Sequence, residues 1–285
     1  MRVSCRQSKL LHNQLIKIIL MSFLFLTSCQ TTSKKDSSLN FTDTQKWGEE
    51  EDHFRKNWKP VFVDLTPEAL NLKIDPPREH SQAFQREKTY LLALQGMRSE
   101  HDLKEIEIQK HVCGFYFDGF RLGFNRNLDN FLMDAYMDSR LLGFRAKAFY
   151  NRIRPSFSVP GLTPSIENPG HPAYPSNHSI QATLMALILG EIVPNNKATY
   201  LNSARRIARN RELAGVHYPS DSEYGMSLAF AVFERLVKNK TFQERLSEFK
   251  GKKFKMVTRK IKTEKKDSNA CLNYTKSYAI KNGVW

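Results

Sequence analysis

Long apolar runs, alternating polarity and internal repeats are all missing from this sequence. The N-terminal apolar run, Ile18–Leu26, is nine residues long. A helix that spans a bilayer needs about 20 apolar residues, so we expect no transmembrane segment. Period-two alternation of polar and apolar residues is nearly absent, which excludes a protein built mainly from half-buried β-strands. Because no repeat is visible, a repeat architecture is not expected either.

Acidic residues are missing from one end of the chain and sparse at the other. Residues 1–28 carry four basic residues and no acidic one, and residues 250–285 carry eleven basic residues against two acidic ones. Of the formal net charge of +15, only +2 therefore belongs to residues 29–249. A body this close to neutral does not favour nucleic-acid binding, and we predict no nucleic-acid partner.

The N-terminus is typical of a bacterial lipoprotein signal peptide, residues 1–28. After the apolar run, Leu26-Thr27-Ser28-Cys29 resembles the lipobox, whose cysteine is lipidated and becomes the first residue of the mature chain. Gln30 rather than aspartate follows, which by the sorting rule implies the outer membrane, facing the periplasm. The alternative is an ordinary signal peptide cleaved at the same place, which would release the protein into the periplasm. In the first case, the acyl chains hold the protein on the membrane.

The remaining cysteines leave one open question. Cys5 would leave with the signal peptide and Cys29 would carry the lipid. Cys113 and Cys271 would then lie in a compartment that permits disulfides. A disulfide between them and two buried thiols are both compatible with the sequence.

The spacing of apolar residues predicts an all-α fold, with one helical domain over residues 60–250. Residues 29–59 are expected to form a polar tether and an irregular segment, and residues 251–285 a basic C-terminal tail. A proline-rich stretch, residues 156–177, predicts a long loop. Helices are expected at about 81–110, 127–153, 177–191, 197–213 and 219–238, the second ending at Arg154 because Pro155 follows it.

Two clusters along the chain suggest an anion site. Lys147 and Arg154 are seven residues apart, so on one helix both cations would lie on the same face. Pro175-Ser176-Asn177-His178 stands at a predicted helix N-terminus, where free N–H groups and the helix dipole favour a negative charge. The alternatives are a solvated basic face for the first cluster and a simple N-cap for the second.

A third cluster adds a histidine and a carboxylate. His217 and Asp221 are four residues apart at a helix start, so Asp221 can accept a hydrogen bond from one imidazole nitrogen. The other nitrogen then keeps its lone pair for attack on an electrophile. Arg211 brings a further cation. The alternative is a surface His–Asp pair without function.

In this order, the spacings K-x6-R-P, P-S-N-H and R-x5-H-x3-D resemble the signature of the type 2 phosphatidic acid phosphatase superfamily. Within it, the chain most resembles the bacterial class A non-specific acid phosphatases, which are secreted helical enzymes without transmembrane segments. The resemblance extends from about Ile74 to Lys250. It implies a helical bundle of the class A acid phosphatase and vanadium haloperoxidase type.

The resemblance also implies a reaction: metal-independent hydrolysis of phosphomonoesters through a phosphohistidine, without a cofactor. His217 would be the nucleophile, Asp221 would orient it, and His178 would act as acid and then as base. The phosphate oxygens would be bound by five residues, namely Lys147, Arg154, Ser176, Asn177 and Arg211. The substrate is a phosphorylated small molecule or lipid, and the sequence leaves its identity and the oligomeric state open.

Two residues depart from the family pattern. Asn177 replaces the usual glycine, and asparagine is expected to tolerate the left-handed backbone there. Asn210 replaces the usual serine before Arg211.

Three rival functions stay open at this point. One is a vanadium-dependent haloperoxidase and another is a non-catalytic envelope lipoprotein that binds anionic ligands. The third is a metal hydrolase whose ligands would be His171, His178, His217 and Asp221, although no short ligand motif supports a metal site.

Overall fold

The computed structural model of the chain describes residues 39–110, 125–254, 277–278 and 280–282. Within these residues every regular element is helical, which confirms the predicted all-α fold, and an isolated bridge joins Asn40 to Arg152. In chain order the helices are α1 Phe41–Thr44, α2 Glu49–Asn57, α3 Gln82–Gly96, α4 Glu100–Gln109, α5 Arg126–Tyr150, α6 Pro155–Ser158, α7 Asn177–Ile192, α8 Lys197–Leu213, α9 Pro219–Leu236 and α10 Lys240–Ser247, with a 3-10 turn at Pro194–Asn196.

Helix α7 forms the centre of the fold. It is buried along its whole length apart from the half-buried His178 and Glu191, and it packs against α5, α8 and α9. A helix that is apolar on every face is stable only when other elements surround it. Because α7 begins at Asn177, the second motif lies inside the protein rather than at its surface.

Helix α5 ends earlier than predicted. Its last residue is Tyr150, and Asn151 adopts a left-handed conformation with φ 48° whose N–H bonds to the Lys147 carbonyl. Asparagine tolerates this conformation better than most residues, so it stops the helix before Pro155 can. The prediction that Lys147 and Arg154 share one helix is therefore wrong, because α5 ends at Tyr150 and Arg154 lies beyond it in extended backbone.

The N-terminal segment is more ordered than the sequence predicts. An irregular segment was expected up to residue 59, yet α1 and α2 lie there and Phe41 and Phe54 are fully buried. Phe41 N–H bonds to the Asn151 carbonyl at 2.8 Å, and the Trp58 indole N–H bonds to Asp138 at 3.0 Å. These contacts attach the segment to α5, so the packed unit begins before residue 60.

The predicted helix from about 81 to 110 is divided in two. Ser99 caps α4 reciprocally with Asp102, which starts a new helix after Gly96.

The signal peptide with Cys29, and also Cys113 and Cys271, lie outside the described residues, so their lipid and disulfide assignments stay predictions. No helix in the described part of the chain combines the length and the hydropathy needed to span a bilayer.

Candidate functional site

Lys147 and Arg154 both bind the segment that leads into α7. Lys147 Nζ donates to the carbonyls of Pro172 and Ala173 at 2.7 and 2.9 Å, and Arg154 Nε donates to the His171 carbonyl at 2.9 Å. Both side chains are fully buried. The turn at Asn151, rather than a shared helix face, brings these two cations to one place.

Arg154 also links the first motif to the third. Its Nη1 donates to the Val216 carbonyl at 2.7 Å and lies 3.1 Å from His217 Nε2. On the other side of the imidazole, His217 Nδ1 lies 3.0 Å from Asp221 Oδ2, the contact that the four-residue spacing predicts. Because a carboxylate only accepts, Nδ1 carries the hydrogen and Nε2 keeps the lone pair.

Ser176 connects the second motif to the third. Its hydroxyl accepts from Ser179 N–H at 3.3 Å and so caps α7, while its own N–H donates to the Asp221 carbonyl at 2.9 Å. Asn177 is the first residue of α7 and is buried. The helix N-terminus therefore lies beside the His217–Asp221 pair.

Arg211 is the cation of this cluster that also lines a cleft. Its side chain is 2% exposed, and among the described residues its Nε and Nη1 atoms have no hydrogen-bond partner. It lines a cleft of about 550 Å³ together with Asn177 and His178. Buried donors without an acceptor are costly, so this guanidinium is suited to an anionic ligand in the cleft.

The cluster has an excess of positive charge. Within the described residues, no carboxylate forms a salt bridge with Lys147, Arg154 or Arg211. Burial lowers the pKa of Arg154 to about 9 and that of Arg211 to about 10, so both stay charged at neutral pH. Burial, and then the neighbouring Arg154, lowers the pKa of Lys147 well below its usual value. A bound phosphate dianion would reverse these effects, because it supplies the missing negative charge.

Burial also sets the charge of His217. It lowers the pKa of His217 well below the usual histidine value, and the charges of Arg154 and Lys147 lower it further. The imidazole is therefore neutral at mildly acidic pH, which is the form that a nucleophile requires.

His178 lies at the wall of the cleft rather than in the buried cluster. It is half-buried, and its Nε2 lies 3.1 Å from the carbonyl oxygens of Gln109 and Lys110 at the end of α4. Because carbonyls accept, Nε2 carries a hydrogen here. The described contacts thus hold this ring at the cleft, between the first turn of α7 and the C-terminal end of α4.

Sequence reasoning missed two residues behind Asp221. Arg152 is 7% exposed and donates to Asp221 Oδ1 at 2.6 Å and to Glu87 Oε2 at 2.7 Å. Burial raises the pKa of Asp221, and the charge of Arg152 lowers it again. The R-x-R spacing of Arg152 and Arg154 after the helix end was the one pattern in the sequence that could have indicated a role for Arg152. No pattern in the sequence indicated a role for Glu87.

The two departures from the family pattern have structural explanations. Among the described non-glycine residues only Asn71 and Asn151 have positive φ, so the left-handed backbone expected for Asn177 is wrong. Its side chain instead packs on α5, since a Cβ atom added to Gly143 would lie 1.7 Å from Asn177 Oδ1. Asn210 Nδ2 donates to Gln109 Oε1 at 2.8 Å, which ties α8 to α4.

No group of three or more His, Cys, Asp or Glu residues in the described ranges could hold a metal ion. His171, one of the ligands of the rival metal site, instead accepts from Arg154 Nη2 through Nδ1 at 2.9 Å.

Comparison with known proteins finds relatives of the part of the chain that carries this arrangement. Residues 132–242, which contain all three motifs, match the PAP2 superfamily. The chain is 31% identical over 106 residues to the non-specific acid phosphatase of Salmonella typhimurium and 30% identical over 112 residues to that of Providencia stuartii. These alignments cover 36% and 37% of this chain but only 42% and 44% of the relatives, so less than half of either relative is matched.

A solved structure shares the fold. The first bacterial vanadium-dependent iodoperoxidase superposes with a TM-score of 0.52 over 81% of this chain and 65% of its own, at 16% identity. At that identity the similarity concerns the fold alone. The motifs, the helical fold and the match over residues 132–242 agree, so this part of the chain is similar to the PAP2 superfamily and to non-specific acid phosphatases.

Proposed function

We propose that this protein is an acid phosphatase that hydrolyses phosphomonoesters through a phosphohistidine at His217. One observation carries the proposal. A buried, neutral imidazole is oriented by Asp221 on one nitrogen, while its other nitrogen faces a cluster of buried cations without a carboxylate partner among the described residues.

In the first step, the Nε2 lone pair of His217 attacks phosphorus in line with the ester bond. A P–N bond forms, the P–O ester bond breaks, and the electron pair leaves on the alcohol oxygen. His178 starts as an imidazolium and gives that oxygen a proton. Asp221 accepts from Nδ1 throughout and stabilises the positive charge that develops on the ring.

In the second step, water hydrolyses the phosphohistidine. Neutral His178 takes a proton from the water, whose oxygen attacks phosphorus as the P–N bond breaks. Phosphate leaves, and His217 regains its lone pair. Lys147, Arg154, Arg211, the Ser176 hydroxyl and the Asn177 N–H stabilise the non-bridging oxygens, and phosphoryl transfer depends mainly on such positioning and charge.

The location is proposed from residues 1–29, which lie outside the described residues. A lipid on Cys29 would hold the phosphatase at the outer membrane, facing the periplasm. Lipid phosphates and small phosphorylated molecules would both be within its reach there.

The full chain purified in detergent should release phosphate from 4-nitrophenyl phosphate at mildly acidic pH, with or without chelator. Rapid quenching with labelled substrate should trap a phosphoenzyme that is acid-labile and stable in alkali. His217→Ala should abolish both signals, while the exposed His53→Ala on α2 should keep them. Loss of activity in chelator with recovery in zinc would overturn the proposal, as would halide oxidation with added vanadate in the absence of phosphate release.

A further inference from the structure

The cleft that Arg211 lines is also lined by residues of α5 and α7. Its wall there includes Tyr136, Arg140, Phe144 and Gln181. Gln181 follows His178 by three residues, so both lie on the same face of α7. A substrate whose phosphate lies at Arg211 would place its leaving group against this wall.

Arg140 gives the wall a fixed cation. Its guanidinium lies 4.5 Å from the ring centroid of Phe54 and 5.1 Å from that of Phe144. Among the described residues it donates no hydrogen bond and forms no ion pair. The two rings restrict the side chain, so the hydrogen-bond donors of a pre-positioned guanidinium are available to a ligand in the cleft.

Gln181 adds a buried amide donor. It is 2% exposed, and among the described residues its Nε2 atom has no acceptor at normal hydrogen-bond geometry. The amide lies near the Tyr136 hydroxyl, whose pKa burial raises and the amide lowers. A buried amide hydrogen usually finds an acceptor, and this one belongs to a residue that lines the cleft. Arg140 and Gln181 thus offer two sets of donors on adjacent helices.

We propose that Arg140 and Gln181 form a leaving-group subsite that binds a second anionic group of the substrate. The inference rests on the proposed function, and it names the substrate class as phosphomonoesters that carry a second phosphate or a carboxylate. Both groups present only acceptor oxygens to these donors.

Three carboxylates also line the cleft, and among the described residues none of them forms an ion pair with Arg140. Glu107 forms an ion pair with Lys110. The Glu51 carboxylate folds back onto Gly48 at the start of its own helix, since its Oε2 lies 2.2 Å from the position that a Cβ on Gly48 would take. Glu167 also lines the cleft. It could favour a cationic leaving group instead, and the test therefore includes one.

Matched substrates test the subsite in the full chain. The kcat/KM values of fructose 1,6-bisphosphate and 6-phosphogluconate are compared with those of fructose 6-phosphate and glucose 6-phosphate, whose leaving groups are neutral. We expect each anionic substrate to exceed its neutral partner. Arg140→Gln should lower that ratio about 10-fold, the size of a charged hydrogen bond, and Gln181→Met should lower it by a smaller factor. Arg140→Lys should restore part of it.

Arg145→Gln is the matched control. Arg145 lies on the same helix as Arg140, but it forms an ion pair with Asp64 and does not line the cleft. This variant should leave the ratio unchanged. If the wild-type chain hydrolyses the neutral substrates but Arg140→Gln leaves the ratio of anionic to neutral kcat/KM unchanged, the subsite is overturned and the proposed function stands. A preference for O-phosphoethanolamine over glucose 6-phosphate would overturn it too. Failure of the wild-type chain to hydrolyse any of these esters would overturn both proposals.

Discussion

Arg154 Nη1 lies 3.1 Å from His217 Nε2, so the proposed nucleophilic nitrogen accepts a hydrogen bond from one of the proposed phosphate-binding residues. One lone pair cannot both accept this bond and attack phosphorus. A bound phosphate must therefore draw the guanidinium onto its own oxygens and release Nε2. Arg154 would thus protect the imidazole from protonation before substrate binds and stabilise the transferring group afterwards.

Replacing Arg154 by glutamine should shift the pH dependence of the reaction. The charge of Arg154 lowers the pKa of His217, second only to burial, so its removal should raise that pKa. Protonated His217 cannot attack, and the acid limb of the kcat/KM profile should therefore move to higher pH. The rate itself should fall about 100-fold, as when one oxyanion donor is lost. The measurement is kcat/KM against pH for wild type and variant on the same substrate. Acid limbs that coincide would contradict this role.

Replacing Arg152 by methionine should destabilise the protein. The change leaves Asp221 and Glu87 buried without their cation, and removal of one partner of a buried pair costs about 3–5 kcal/mol. Turnover should fall as well, because Asp221 loses the contact that holds it against His217. Urea unfolding measures the first effect. Arg145→Gln breaks a half-exposed pair with Asp64 and should cost less than about 1 kcal/mol. Equal losses in the two variants would show that the buried pair has no special weight.

The contacts that sequence could predict are the local ones. His217 and Asp221 are four residues apart, so helix geometry alone fixes their approach. The role of Arg152 depends on Glu87, which lies 65 residues away, and on Asn151, which turns the chain so that Arg152 faces inward. A pattern of basic residues cannot reveal such a partner.

The same reasoning explains the N-terminal segment. Helix α2 is highly charged, and the two residues that anchor it, Phe54 within the helix and Trp58 directly after it, are isolated in a polar stretch. Trp58 bonds to Asp138, 80 residues later, and Phe54 stacks with Trp58 at 5.5 Å. Periodicity detects a continuous apolar stripe, so the family-like helices α5, α7, α8 and α9 were predictable whereas a helix held by two aromatic residues was not.

Gly143→Ala should damage the site without touching a proposed catalytic residue. The added Cβ would lie 1.7 Å from Asn177 Oδ1 and 3.0 Å from Ile180 Cδ1, so the Asn177 side chain in the first turn of α7 must move. We expect a lower kcat together with a loss of stability of about 1–3 kcal/mol, as for other overpacked cores. Gly96→Ala is the control, because nothing lies within 4 Å of its added Cβ. Unchanged phosphate release in Gly143→Ala would show that the position of Asn177 is unimportant.

Glu212→Gln should change how stability depends on pH. Burial raises the pKa of Glu212 from 4.5 to about 7, and Tyr90 OH donates to Oε2 at 3.0 Å, a bond that glutamine can keep. Because the folded pKa lies above the unfolded one, the wild-type contribution is fully present below pH 4.5 and is lost as the pH rises through about 7. Glutamine does not titrate. Relative to the variant, wild type should therefore lose about 3 kcal/mol of unfolding free energy between pH 4.5 and 8, measured by urea unfolding at both pH values. A difference between the two proteins that stays constant over this range would mean that Glu212 ionises at the same pH in the folded protein as in the unfolded chain.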